Sequence, residues 1–156
     1  MRAELLSKAR ERALRLLEYR ARSRAELARR LRQAGFAEDI IEEVLERLSD
    51  IGFVDDARFS QSWVESRSVG RGIGKARIKW ELRQKGVEAD LVEEALSEID
   101  EETEYKSAVL AARAKWEKDH SPDAGAKRRR LASYLQRQGF VWDVIKRVIN
   151  ELAGYD

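Results

Sequence analysis

The sequence predicts an all-α fold of three tandem three-helix repeats in an elongated or crescent-shaped arrangement. Three observations carry that expectation. Helix formers dominate, and a single proline interrupts 156 residues, so long helices run unbroken. Hydrophobic residues make up 43% of the chain and charged ones 38%, the balance of helices with narrow apolar stripes and broad solvated faces. The third observation is internal: one pattern recurs around Gly35, Gly86 and Gly139, glycines 51 and 53 positions apart.

The elements of each repeat follow from that pattern. Ala13 with Leu17, Phe59 with Trp63, and Ala112 with Trp116 occupy matching positions on a first helix, the linker after it being about five residues shorter in the first repeat. Trp63 and Trp116 are therefore expected in the core. Asp55 and Asp56 precede Arg58-Phe59 as an N-cap and a first-turn acid. The second helix carries Leu27 and Leu31, Ile78 and Leu82, or Leu131 and Leu135, eight and four residues before the glycine and on one helical face. Each glycine is placed to end that helix as its left-handed C′ residue. The third helix buries Ile41, Val92 and Ile145; Val44, Ala95 and Val148; and Leu45, Leu96 and Ile149, with Ile40, Leu91 and Val144 ahead of them and Leu48, Ile99 and Leu152 closing the set. The repeats are expected at residues 1–51, 52–100 and 101–156. Each is too small to be robust alone and should lean on its neighbour.

Several functions are argued against. With no cysteine and one histidine, His120, in the turn-like Asp119-His120-Ser121-Pro122-Asp123, thiolate zinc sites and imidazole triads have no residues to use. No cofactor is expected, and no nucleophile motif supports an enzyme. Gly70-Arg71-Gly72-Ile73-Gly74-Lys75 resembles a phosphate loop only loosely: position 69 is valine, Ala76 follows Lys75, and no strand precedes it. It reads as a flexible connector in which Arg71 and Lys75 can grip a partner. No run approaches the roughly 20 apolar residues of a membrane span, and a cytoplasmic location is expected.

Net charge is +2, but its sign alternates along the chain. Residues 2–32 hold eleven basic and four acidic side chains, residues 36–56 one and eight, residues 67–85 seven and one, and residues 88–104 none and nine. On the second helix of the middle repeat, Trp80 projects roughly 160–200° from Ile78 and Leu82. It should be exposed, either as a contact or packed on a neighbouring repeat. The candidate contact surface is Arg24, Arg29 and Arg30; Arg71 and Lys75; Arg77, Lys79, Trp80 and Arg83; and Lys127, Arg128, Arg129 and Arg130. That last run reads either as a solvated face or as part of one basic ridge, and a helix N-terminus is a poor place for cations.

Taken together, Ala13-Leu14-Arg15-Leu16-Leu17 with Arg20, Ser23, Glu26-Leu27 and Leu31 to Gly35-Phe36, then Gly52-Phe53-Val54-Asp55-Asp56-Ala57-Arg58-Phe59, then Arg77-Ile78-Lys79-Trp80-Glu81-Leu82-Arg83-Gln84-Lys85-Gly86-Val87 resemble the RecX family of bacterial regulatory proteins. The likeness spans nearly the whole chain, the third repeat matching by register rather than motif; Trp80 departs from the short residue common in relatives. The resemblance implies a monomer that binds the RecA recombinase filament on DNA, lying in its helical groove, and inhibits ATP hydrolysis, strand exchange and coprotease activity. Direct binding of single- or double-stranded DNA is the alternative, and a generic helical scaffold a third.

Overall fold

Glycine ends a helix cleanly because it adopts positive φ without a Cβ penalty, and this device sets the boundaries of the fold. The computed structural model describes residues 1–68 and 71–154. Among these there are nine α-helices and no strand: α1 Arg2–Tyr19, α2 Arg24–Gln33, α3 Glu38–Asp50, α4 Asp56–Ser68, α5 Lys75–Gln84, α6 Ala89–Leu96, α7 Glu101–Lys118, α8 Ala124–Arg137 and α9 Trp142–Leu152. No helix among them is long and apolar enough to cross a membrane.

The chain divides into two compact units, Met1–Gln61 with Leu82–Val92, and Ser62–Glu81 with Glu93–Asp156. In the first, α1, α2 and α3 close around Ala9, Ala13, Leu27, Leu31, Ile41 and Leu45. In the second, α7, α8 and α9 do the same around Ala108, Ala112, Leu131, Leu135, Ile145 and Val148. The expected register holds in detail. Leu31, Leu82 and Leu135 are fully buried, as are Ile41, Val92 and Val148. Leu91, Val144 and Leu152 are only half-buried, at the edge of their helices' apolar stripes.

The first-helix positions need a correction. Ala13, Phe59 and Ala112 are buried, but Leu17, Trp63 and Trp116 are half-buried, so the two tryptophans are not full core residues. An indole is too large and too polar at its nitrogen to be enclosed easily. Trp63 Nε1 donates to Glu81 Oε1 at 3.1 Å, and the Lys127 ammonium lies 3.9 Å from the centre of the Trp116 ring.

The second helices end alike. Gly35, Gly86 and Gly139 have φ of 95°, 78° and 95°. In each turn the glycine N–H donates three residues back, to Arg32, Arg83 or Gln136, and the next N–H reaches five back, to Leu31, Leu82 or Leu135. These paired bonds satisfy helix-end carbonyls that would otherwise be orphaned. The leucine that faces the core thus also closes the turn.

Inside each unit the start of one second helix is seated on such a turn. In the first unit, the Ser23 hydroxyl donates to the Lys85 carbonyl at 2.6 Å while accepting from the Glu26 N–H at 3.1 Å, and Glu26 returns the bond to the Ser23 N–H. Gly86 lies against Ala25, so close that an added Cβ would come within 2.4 Å of the alanine's. In the second unit, the Gly74 N–H donates to the Gln138 carbonyl at 2.7 Å and the Ala76 N–H to the Gly139 carbonyl at 3.1 Å. The unpaired donors of a helix start meet the carbonyls of a helix end, with dipoles head to tail.

Both seats carry a carboxylate borrowed from another helix, half-buried at Asp56 and buried at Glu104. Asp55 caps α4 as expected, accepting from the Arg58 N–H at 3.1 Å. Asp56 turns away from its own helix and accepts from the Arg24 N–H, the first of α2, at 2.8 Å. Glu104 on α7 likewise accepts from the Lys75 N–H, the first of α5, at 3.1 Å. Burial pushes both carboxyls up, opposed by these backbone hydrogen bonds.

Candidate functional site

Helix α5 presents the residue singled out as a contact. Ile78 and Leu82 are fully buried and Trp80 is 61% exposed, as the helical spacing requires. The flanking cations sort themselves. Lys79 Nζ pairs with Glu93 on α6 at 2.8 Å. Arg77 is half-buried; Nη1 donates to Gln138 Oε1 at 3.1 Å and Nε lies 3.7 Å from Glu81 Oε2. Arg77 therefore serves the packing more than the surface. Arg83 is exposed and makes no ion pair with a described residue.

Glu81 organises the side of this helix. It receives Arg67 through Nε at 2.9 Å and through Nη2, together with the Trp63 indole N–H. Burial would raise its carboxyl; the hydrogen bonds from Arg67 and Trp63 outweigh that and hold it below the usual range. Arg67 also lies 5.6 Å from the Trp63 ring centre, a cation–π contact.

Residues 72–74 of the glycine-rich segment are packed, where its composition suggested a flexible connector. Gly70 lies outside the described residues, but Gly72, Ile73 and Gly74 are buried. A Cβ on Gly74 would stand 2.4 Å from the Gly139 carbonyl carbon, and one on Gly72 2.8 Å from the Ala111 Cβ. The glycines are there for close packing. Lys75 is tied at its N–H by Glu104, while Arg71 is exposed.

The Lys127-Arg130 run is likewise better explained by structure than the sequence allowed. Helix α8 begins at Ala124, capped by Asp123 through the Ala126 N–H at 3.2 Å, so only Lys127 falls in the first turn, where the dipole acts most strongly, and Arg128 to Arg130 lie beyond it. Lys127 covers Trp116, and Arg130 pairs with Asp119 through Nε at 2.9 Å and Nη2 at 3.0 Å. Arg128 is half-buried and Arg129 exposed; Arg129, Arg130, Arg137 and Lys115 line a shallow basic cleft of about 240 Å³.

In the first unit, Arg24 is drawn into the fold by Glu42 at 3.2 Å and Glu46 at 3.6 Å. Arg29 and Arg30 are exposed. The structure places them with residues the sequence reading passed over: Arg12, Arg15, Tyr19, Arg20 and Arg22. No spacing rule brings α1 and the start of α2 together, so only the many arginines of residues 2–32 signalled them. Of the expected basic surface, Arg29, Arg30, Arg71, Arg83 and Arg129 with Trp80 stay open; Arg24, Arg77, Lys79, Lys127 and Arg130 are engaged within their own units.

Fold and surface together define a class, a helical repeat protein of three tandem three-helix domains whose candidate site is an exposed aromatic and basic surface. The sequence matches family models for the first three-helix domain of RecX at residues 9–48, the second at 55–96 and the third at 102–149. It is 42% identical over 146 residues to the regulatory protein RecX of Mycobacterium sp. (strain KMS), covering 90% of this chain and 80% of that protein. The Streptomyces coelicolor regulatory protein RecX is 38% identical over 146 residues, covering 94% and 78%. The crystal structure of RecX from Lactobacillus salivarius superposes with a TM-score of 0.89 at 27% identity, over 97% of this chain and 98% of that one. The chain belongs to the RecX family of regulatory proteins.

Proposed function

We propose that this chain regulates the RecA recombinase, binding its filament on DNA, in the helical groove, and inhibiting ATP hydrolysis, strand exchange and coprotease activity during DNA repair and recombination. It acts by binding rather than by catalysis, as a monomer in the cytoplasm. The three repeats, divided at residues 51/52 and 100/101, are its structural modules.

The observation that supports a binding role is Trp80. A tryptophan 61% exposed on a helix whose inner face is fully buried contributes nothing to the core that would explain it. Rigidly presented aromatics flanked by arginine are typical anchors of protein interfaces. Arg83 lies on the same helix three residues on and has no ion-pair partner among the described residues, leaving it available to a partner.

The test is DNA-dependent ATP hydrolysis by the cognate recombinase, titrated with the protein at two salt concentrations beside a DNA-binding control without recombinase. Inhibition at concentrations well below those that coat naked DNA is the expected result. Inhibition that tracks naked-DNA binding would replace this reading with direct DNA binding, which the arginines around Arg22 favour, and no inhibition would leave the helical scaffold reading.

A further inference from the structure

Leu91 belongs to the apolar register of α6, yet it is only half-buried. It lines an open groove of about 570 Å³, all of whose lining lies in the first compact unit. The deepest part of that lining is apolar: Leu45 and Val54 are 1% and 4% exposed, and Ala28 and Ala57 are half-buried like Leu91. The volume falls within the roughly 300–1,000 Å³ of ordinary ligand clefts.

The charged part of the lining is mostly of one sign. Glu42, Asp55, Asp56 and Glu88 face the groove together with a single cation, Arg24. Arg24 compensates Glu42 at 3.2 Å and also reaches Glu46 at 3.6 Å, whereas Asp55, Asp56 and Glu88 form no ion pair with a described residue. Burial raises the Asp56 carboxyl, and the Asp55 and Glu88 carboxylates raise it further, against the hydrogen bond from the Arg24 N–H. Among the described residues no three acids converge as metal ligands would. The groove is therefore suited to a long cation with an apolar stem rather than to a bare ion.

We propose that this groove receives an arginine side chain presented by a basic segment of a protein partner. The aliphatic stem lies on Leu45, Val54 and Leu91, as long cationic side chains lie on apolar surface. The guanidinium reaches Asp55, Asp56 and Glu88, whose carboxylate oxygens match its planar fork. Arg24 in the wall selects against a free polyamine, whose several charges would meet it; one cationic side chain on a neutral backbone avoids it. The groove shares no residue with the Trp80 surface and its occupation needs no recombinase, so this contact and the proposed function can fail independently.

The experiment is an amide NMR titration of the full chain, at fixed ionic strength, with the peptide acetyl-Ala-Ala-Arg-Ala-Ala-amide and with the same peptide carrying citrulline, the uncharged isostere, in place of arginine. Saturable shifts are expected at the amides of Ala28, Gly52, Ala57, Gly86 and Leu91. The citrulline peptide is expected to bind roughly tenfold or more weakly, the size of a lost charge-assisted contact. D55N keeps the cap of α4, since asparagine caps as well as aspartate; D55N and E88Q should each weaken the arginine peptide about threefold, the size of a partly solvated ion pair. A28L leaves every charge in place and fills the groove, so it should abolish the saturable shifts, with a circular dichroism melt to confirm its fold. Equal affinity for the citrulline peptide, unchanged affinity in both D55N and E88Q, or shifts confined to other residues would overturn the site. Spermidine that moves the same amides at lower concentration than the arginine peptide would assign the groove to polyamines and overturn the protein contact.

Discussion

The turns at Gly86 and Gly139 share hydrogen bonds and handedness, yet the neighbour that stands over each one differs. Over Gly86 stands the side chain of Ala25; over Gly139 stands the main chain of Arg77, whose nitrogen would be 2.4 Å from an added Cβ. A side chain can be replaced or can shift, whereas the first turn of a helix cannot move without its hydrogen bonds. The comparison teaches that one local motif is used at two levels of constraint, and Gly35 supplies a third, since nothing lies within 4 Å of a Cβ there.

Substitutions rank these levels. Gly139→Val is expected to cost most, more than about 3 kcal/mol, because left-handed strain and backbone overlap add. Gly86→Val should cost less, about 2–3 kcal/mol, and Gly35→Ala about 1–2 kcal/mol, from the backbone conformation alone. Urea unfolding of the three variants checks the order; equal costs at all three positions would show that the neighbours do not matter.

The borrowed carboxylates offer a finer comparison. Glu104 has its carboxyl raised by burial, so the native state holds its proton more tightly than the unfolded chain. Its contribution to stability is therefore greatest below the ordinary glutamate value of 4.5 and declines as pH rises through the window above it. Glu104→Gln should remove that decline, and Asp56→Asn should do the same in the first unit. Glu81 acts with the opposite sign: its carboxyl is lowered, so its stabilisation is present above the ordinary value and is lost as pH falls through the lowered one. Stability measured across the acid range in Glu104→Gln and in Glu81→Gln should change in opposite directions.

The smallest expected change in stability is at a position outside both turns. Trp80→Ala should alter it by no more than about 0.5 kcal/mol, as for a surface substitution, while weakening binding to the recombinase filament roughly tenfold or more, as for an interface anchor. Stability loss comparable with Gly86→Val would mean that Trp80 is packed rather than presented.

Much of this architecture was legible in the sequence because it is written in short spacings. Leucines four and eight residues before a glycine fix a helical face and its end, and Asp55 reads as a cap from its place before Arg58-Phe59. Contacts across long separations were not legible. Asp56 looked like an acid of its own helix, yet it serves the start of α2, 32 residues away. Gly74 looked like part of a flexible connector because its reason, the Gly139 carbonyl, lies far along the chain. The basic surface was legible only as composition: periodicity could not say that Arg24 would turn to Glu42, that Lys127 would lie over Trp116, or that Arg22 would turn back to the Leu16 carbonyl.

The seating of α2 and α5 on later turns also has a bearing on synthesis. Ser23 can form its reciprocal bonds with Glu26 as soon as α2 emerges, but its other partner, the Lys85 carbonyl, is 62 residues further on. At about 5–20 residues per second, that carbonyl is made roughly 3–12 s later. Through that interval the nascent first repeat holds the Ser23 hydroxyl open to water, and it is completed only by the arrival of its successor.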